Sequence, residues 1–355
     1  MSKKKRVLHI SPNSLDSHCG VAKYASFLAN SLKFRYDVKF LTEKSSKKSK
    51  HVFNIKSWKL NEFFNYIKII KNYKPDIIHI HLTDGLLNKG LLITFIPLIS
   101  IIYSKKIVQT WHEPCGNKNF LKFFLLTFNN FKIISPRPDF KELVEKYMFF
   151  IFRFHFYFKK INYIESSYVT NKINININKT YKIKKKLLIN KKRLIVTFGH
   201  AYPNKRFETV FKLINLKSDK LIIVSKLDEN KSYGSTIIKL IDKFKNNCEI
   251  IQDLSDRKLF KLLVVADVIV LPFFPHPGSW STSLSLSKLS RSFIITTSNE
   301  QKGYNKKENI FYFDKFNIKN LKKSIVNYSG KKNNLKLNIN SWSNISKEHV
   351  KIYSN

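Results

Sequence analysis

The chain has 355 residues, 43 % hydrophobic and 14 % aromatic, enough apolar material for a substantial core, which excludes wholesale disorder. Its 65 Lys and Arg against 24 Asp and Glu leave a net charge of +41, which attracts phosphate, anionic lipid or nucleic acid. Only eight of the 65 are Arg, and base readout leans on bidentate Arg. The skew therefore argues against a nucleic-acid reader and for solvated surface Lys above a basic face. Cys19, Cys115 and Cys248 stand far apart in no C-x-x-C spacing, so neither a disulfide framework nor a zinc site is expected, and a reducing cytosol fits. The basic start at residues 1–6 looks like a signal peptide's first part, but the apolar stretch at 7–10 is too short and carries His9. The longest apolar run, residues 91–103, contains Pro97 and stops at Lys105 and Lys106, short of a comfortable bilayer span. A soluble or peripheral protein is expected.

In chain order, residues 6–10 read as a strand, 11–20 as a turn-prone segment and 21–33 as a helix with Ala22, Ala25, Phe27, Leu28 and Leu32 at helical spacing. Residues 37–41 read as a strand, 62–71 as a helix, and 76–81 and 106–110 as strands. This alternation predicts a doubly wound parallel α/β sheet. Residues 170–192 turn into Asn/Ile/Lys low complexity, read as a connection with room for one edge strand. A second series follows, with strands at 193–198, 220–225, 249–252, 267–271 and 293–296. Helices are expected between them at 208–216, 235–244, 256–265 and 282–289. The expected organisation is a first domain over residues 1–180, a second over 193–330, and a tail at 331–355 forming a helix that packs back on the first domain.

Ligands of doubly wound sheets gather at the carboxyl ends of strands, where loops lead into helix N-termini. Four such places carry suggestive residues. Gly20 follows the first strand at a helix start, where a missing side chain lets a ligand approach the backbone. His112 and Glu113 follow another strand, an imidazole beside a carboxylate that can bind hydroxyls or move a proton. His79 and His81 alternate on one strand and share a face; two His alone make a poor metal site, so they are assigned to packing. In the second series His200, Lys205 and Arg206 follow a strand, where cations can clamp a diphosphate and stabilise a leaving group. Finally, a buried strand ends in a Pro-rich loop with Gly278 and Ser279, then Ser281, Thr282 and Ser283 open a helix, a ready anion site.

In their order these features resemble glycosyltransferase family 4 and its GT-B fold, two doubly wound Rossmann-like domains facing a central cleft. The stretches that carry the resemblance are Gly20-Val-Ala-Lys-Tyr-Ala25, Pro75-Asp-Ile-Ile-His-Ile-His81, Thr110-Trp-His-Glu113, Phe198-Gly-His-Ala-Tyr-Pro-Asn-Lys205 and Ala266-Asp-Val-Ile-Val-Leu-Pro272. The resemblance implies retaining transfer of a sugar from a nucleotide-sugar donor to a polysaccharide, lipopolysaccharide or lipid-linked acceptor. It implies no metal and no cofactor besides the donor substrate, and the sequence holds no Asp-x-Asp. By the family pattern Gly20 borders the cleft, His112 sits near the transferred sugar, and Lys205, helped by Arg206, neutralises the departing diphosphate. The backbone at residues 279–282 holds the phosphates.

Departures from the pattern are definite. Two glutamates eight positions apart are usual in the second domain, and Gly278 and Leu286 stand at those places. Leu286 accepts no hydrogen bond from a ribose, so nucleotide binding must differ or be weak. His200 replaces the usual Arg and is only partly charged near neutral pH. Residues 147–160 alternate aromatics with Arg153, His155 and Lys159, as a core element or a membrane-interface segment would; the latter fits a peripheral position on the anionic inner membrane leaflet. Three other readings stay open: a nucleotide-sugar epimerase on the same scaffold, a catalytically silent binding protein, and, driven by charge alone, a nucleic-acid binder.

Overall fold

The computed structural model describes residues 4–11, 19–43, 50–103, 106–113, 122, 125–126, 132–147, 161–166, 182, 184–188, 190–274, 276–277, 281–333 and 341–354. The chain divides into two compact units, Met1–Thr170 with Asn340–Asn355, and Asn171–Ile339. Gly278 and Ser279 lie outside the described residues, as do residues 148–160 of the aromatic–basic segment and most of the low-complexity connection. Among the described residues no helix is long and apolar enough to cross a membrane.

The first unit runs β1 (Arg6–Ile10), α1 (Gly20–Leu32), β2 (Asp37–Glu43), β3 (Val52–Ile55), α2 (Phe63–Tyr73), β4 (Ile77–Leu82), α3 (Asp84–Leu87), α4 (Leu92–Tyr103), β5 (Lys106–Trp111), β6 (Lys132–Ser135), α5 (Phe140–Tyr147) and β7 (Ile161–Tyr163). Its strands pair in the order β3-β2-β1-β4-β5-β6-β7, all parallel. Every residue of β4 is buried, as expected of a central strand covered on both faces. The apolar run at 91–103 forms α4, which packs inward through Leu92, Ile93 and Ile96. The hydroxyls of Tyr66 and Ser100 join α2 to α4 at 2.7 Å.

The second unit runs β8 (Arg193–Phe198), α6 (Glu208–Phe211), β9 (Asp219–Val224), α7 (Ser232–Lys243), β10 (Cys248–Ile251), α8 (Asp256–Val265), β11 (Val268–Leu271), α9 (Thr282–Ser290), β12 (Phe293–Thr297), β13 (Gly303–Asn305), β14 (Ile310–Phe313) and α10 (Ile318–Tyr328). Its order is β10-β9-β8-β11-β12-β14-β13, parallel except for the antiparallel β13–β14 pair. The helix expected over 208–216 stops at Phe211. Beyond it Asn215 and Asp219 close a reciprocal turn: the Asn215 N–H donates to the Asp219 carboxylate and the Asp219 N–H to the Asn215 carbonyl, both at 2.8 Å. A side chain that competes for backbone donors ends the helix early.

Both units use the same clamp at the start of their central strand pair. In the first, the Arg6 N–H donates to the Asp76 carboxylate at 2.8 Å and the Asp76 N–H to the Arg6 carbonyl at 2.9 Å. In the second, Leu194 and Asp267 repeat the exchange at 2.8 and 2.9 Å. Asp267 also accepts from the Lys184 ammonium at 2.5 Å. These Asp residues stand directly before β4 and β11, in two of the stretches that carry the resemblance. Their role there is to fix the register of the two middle strands.

The chain's last helix, α11 (Trp342–Ser354), returns to the first unit and packs on α1. Trp342 meets the Tyr24 ring edge-on at 5.1 Å, and Tyr353 meets Tyr36 edge-on at 5.6 Å. The Tyr353 hydroxyl reaches His79 Nδ1 at 2.6 Å, so this helix also ties into the central strand.

Replacing Asp267 by Ala leaves a buried strand N–H and a half-buried ammonium without their shared acceptor. The expected loss is about 3 kcal/mol. Urea denaturation followed by circular dichroism measures it, with Phe34→Ser, at a side chain 91 % exposed, expected to stay within about 0.5 kcal/mol of the parent.

Candidate functional site

The strand order reverses between β1 and β4 in the first unit and between β8 and β11 in the second. Beyond the carboxyl ends of such strand pairs lies the crevice where doubly wound sheets bind ligands. Each unit carries expected site residues at its own reversal.

In the second unit β8 ends at Phe198, and Gly199 turns the chain out at φ +134°, a conformation that L side chains rarely adopt. A single 3-10 turn, Pro203–Lys205, follows and closes on Arg206 in the left-handed region at φ 48°. The loop after β11 is stitched to this turn: the Phe274 N–H donates to the Asn204 carbonyl at 2.7 Å. Two cation–ring contacts result. Lys205 Nζ lies 3.6 Å from the centre of the Phe273 ring, and the Arg206 guanidinium carbon 4.3 Å from that of Phe274. Burial pulls the Lys205 ammonium down to about 8, still protonated in most molecules at neutral pH. His200 is exposed, with its ring centre 6.0 Å from that of Tyr202.

The same sheet edge carries the start of α9. Ser281 caps it, its hydroxyl accepting from the Leu284 N–H at 3.3 Å, which fixes the helix entry. Thr282 is exposed and Ser283 half-buried, and the first-turn N–H groups have no partner within the helix by its geometry. Leu286, at one of the places where the family pattern carries a glutamate, is 1 % exposed and packs inside the unit.

In the first unit Gly20 opens α1 with nothing among the described residues within 4 Å of its would-be Cβ, and His112 and Glu113 follow β5. The His112 N–H donates to the Leu82 carbonyl at 3.0 Å, continuing the β4–β5 pairing. Its ring stands edge-on to Tyr24 at 4.9 Å, which brings the end of β5 against α1, one turn beyond Gly20. Burial, with repulsion from His349, pulls the His112 imidazole down to about 3. It is therefore neutral at physiological pH. Glu113 is exposed.

Several polar atoms at these strand ends were not singled out by sequence pattern. The Thr197 hydroxyl near the end of β8, the Ser225 hydroxyl just after β9 and His276 Nδ1 beyond β11 are buried without a hydrogen-bond partner. Unpaired buried polar atoms are uncommon, and these three stand at or just beyond the carboxyl ends of β8, β9 and β11. Phe273 and Phe274 carried the signal in sequence, as an aromatic pair closing an apolar strand, but nothing linear tied them to Lys205 and Arg206.

No family model and no curated protein matches the sequence. Solved structures do match, across nearly the whole chain. Sucrose-phosphate synthase from Thermosynechococcus elongatus superposes with a TM-score of 0.70 at 12 % identity, covering 99 % of this chain and 98 % of that one. A glycosyltransferase from Rickettsia africae ESF-5 gives 0.69 at 14 % identity, with 99 % and 98 % covered. Anabaena HepE, in complex with UDP and glucose, gives 0.67 at 11 %, with 99 % and 97 % covered. UDP-GlcNAc 2-epimerase from Methanocaldococcus jannaschii gives 0.59 at 13 %, with 99 % of both chains covered. At such identities the likeness shows the fold: this chain has the paired Rossmann-like units of the GT-B glycosyltransferases.

Proposed function

We propose that the chain is a glycosyltransferase of the family 4 kind. It moves a sugar, with retention, from a nucleotide-sugar donor to a polysaccharide, lipopolysaccharide or lipid-linked acceptor. The observation that carries the reading is the Lys205 ammonium, partly desolvated over the Phe273 ring at the β8–β11 reversal. When the bond between the sugar's anomeric carbon and the diphosphate breaks, negative charge grows on the departing oxygen. A fixed cation in a partly dry place lowers the energy of that state more than it lowers the bound donor's. Arg206 adds a second charge, and the free N–H groups at the start of α9, with the Thr282 and Ser283 hydroxyls, receive the phosphates. On the first unit, neutral His112 is assigned to hydrogen bonding with a sugar hydroxyl, and Gly20 leaves room for the ligand beside the α1 N-terminus.

The likeness to a UDP-GlcNAc 2-epimerase favours one second reading, a nucleotide-sugar epimerase. The products separate the two: an epimerised nucleotide-sugar formed without acceptor supports the second, and free nucleoside diphosphate formed with acceptor the first. A membrane-bound acceptor would suit the net charge of +41, since each Lys near an anionic surface adds roughly 1 kcal/mol of attraction. Sedimentation with anionic vesicles, reversed by high salt and absent with neutral vesicles, is the expected result.

A thermal-shift screen over nucleotide-sugars first identifies the donor, because a ligand that binds only the folded chain raises its melting temperature. With that donor, Lys205→Ala should lose about 3 kcal/mol of transition-state stabilisation, roughly a hundredfold in turnover, at nearly unchanged melting temperature. The pH profile adds a sign. The charge of Lys205 is present below about pH 8 and lost above it, so kcat/KM of the parent falls on the alkaline side. Lys205→Arg, which keeps its charge, should lose that alkaline limb.

Thr282→Glu puts a carboxylate where the phosphates are proposed to sit. Calorimetry should show donor binding abolished while the circular dichroism spectrum is unchanged; wild-type affinity would place the phosphates elsewhere.

A further inference from the structure

Five of the ten histidines, His9, His79, His81, His112 and His349, gather inside the first unit, and the first three form a tight group. His9 on β1 stands directly opposite His79 on β4, and His81, two residues on, shares the face of His79. All three are fully buried. The ring centres of His79 and His81 are 4.4 Å apart and those of His9 and His79 4.9 Å. One ligating nitrogen from each lies within 4.8 Å of the other two.

The hydrogen bonds in this group do not close. His9 Nδ1 meets His81 Nε2 at 2.9 Å, but His9 Nε2 and His81 Nδ1 are buried with no partner. In a neutral pair one ring donates along the shared bond, so that ring's other nitrogen is a bare lone pair and its neighbour's other nitrogen an undonated N–H. Swapping the tautomers exchanges the two defects and removes neither. A pair that served packing alone would have both nitrogens satisfied or an apolar residue in its place. His79 differs, with Nδ1 at 2.6 Å from the Tyr353 hydroxyl and Nε2 at 2.6 Å from the Thr110 hydroxyl. Because a hydroxyl accepts as readily as it donates, His79 can give up either contact. It can then ligate through one nitrogen while the other donates its proton to the remaining hydroxyl, the usual support of a metal-bound imidazole.

We propose that His9, His79 and His81 bind a borderline transition-metal cation, zinc in the first place. Three neutral imidazoles suit zinc, nickel or copper, whereas magnesium and calcium require oxygen donors. At a zinc–nitrogen distance of about 2.1 Å the ligands of a tetrahedral site stand ~3.4 Å apart, so from within 4.8 Å the ligating nitrogens need to close by up to ~1.4 Å. The fourth position takes water or hydroxide, which offsets part of the charge that neutral ligands leave on the ion. The site clips β1 to β4 and takes no part in sugar transfer, so it stands independently of the proposed function. It leaves untouched the expectation of metal-independent sugar transfer, which rests on the family resemblance and the absence of Asp-x-Asp; what it revises is the assignment of His79 and His81 to packing.

The test uses the untagged full chain from zinc-supplemented culture. Metal analysis after gel filtration should find one equivalent of zinc, and X-ray absorption should show three imidazole nitrogens at about 2.0–2.1 Å. Chelation should lower the melting temperature, zinc should restore it, and magnesium should not. The cobalt form should show the visible absorption of a tetrahedral centre, lost in His9→Ala and His81→Ala. Absence of retained zinc, thiolate or carboxylate ligands in its absorption spectrum, or equal metal uptake by folded His9→Ala and His81→Ala variants would overturn the site. Should the variants fail to fold, the ligand count on the wild-type chain decides.

Discussion

In a parallel sheet every strand delivers its carboxyl end to the same edge, and most of what this chain can do follows from that constraint. The middle strands β1 and β4, and β8 and β11, are where the strand order turns around, so their following loops diverge and leave an edge uncovered. Gly20 follows one of these strands; Lys205, Arg206 and the start of α9 follow two others. Residues distant in sequence become neighbours because the strands that carry them are neighbours. The stitch from Phe274 to Asn204 is the direct expression of this in the second unit, drawing the two aromatic rings under the two cations.

Charge follows a complementary logic. With 24 acidic residues against 65 basic ones, a carboxylate is a scarce acceptor, and three of those that are buried or half-buried bind backbone N–H groups. Asp76 and Asp267 fix the two central strand pairs, and Asp219 binds the Arg193 guanidinium at 2.8 Å while closing the turn after α6. The second unit's candidate site is accordingly cationic, and Lys205 keeps most of its charge at neutral pH despite burial, its ammonium facing a ring instead of a carboxylate. A cation without a fixed counter-ion is left available to a phosphate; one already paired would have to be released first.

The first unit shows the opposite arrangement. Its central strands and its closing helix carry imidazoles that burial keeps neutral, with His9 on β1 pulled down to about 3 and His349 on α11 to about 4. Strand pairing alone brings His9 beside His79, and the closing helix α11 adds His349 and Tyr353 from more than 250 residues away in the chain. The group is therefore a product of topology, assembled by the two ends of the first unit.

The sequence alone determined the two α/β series, because buried parallel strands are short apolar runs that break cleanly against amphipathic helices, as at residues 6–10, 76–81, 193–198 and 267–271. It also marked the candidate loops, by glycine, hydroxyl and basic residues directly after such runs. It did not mark β3, β6, β7, β13 or β14, strands of three or four residues whose conformation is set by the neighbour they pair with and by no period of their own. It could not tell that the Asn215–Asp219 turn would cut α6 short, since that competition depends on a side chain reaching back to the backbone. Only the tertiary structure decided that Lys205 lies over Phe273, that Leu286 points into the core, that His112 is held neutral and that His9 completes a triad with His79 and His81. Each of these is a distance or a solvent exposure created by strand order, and neither quantity exists along a linear chain.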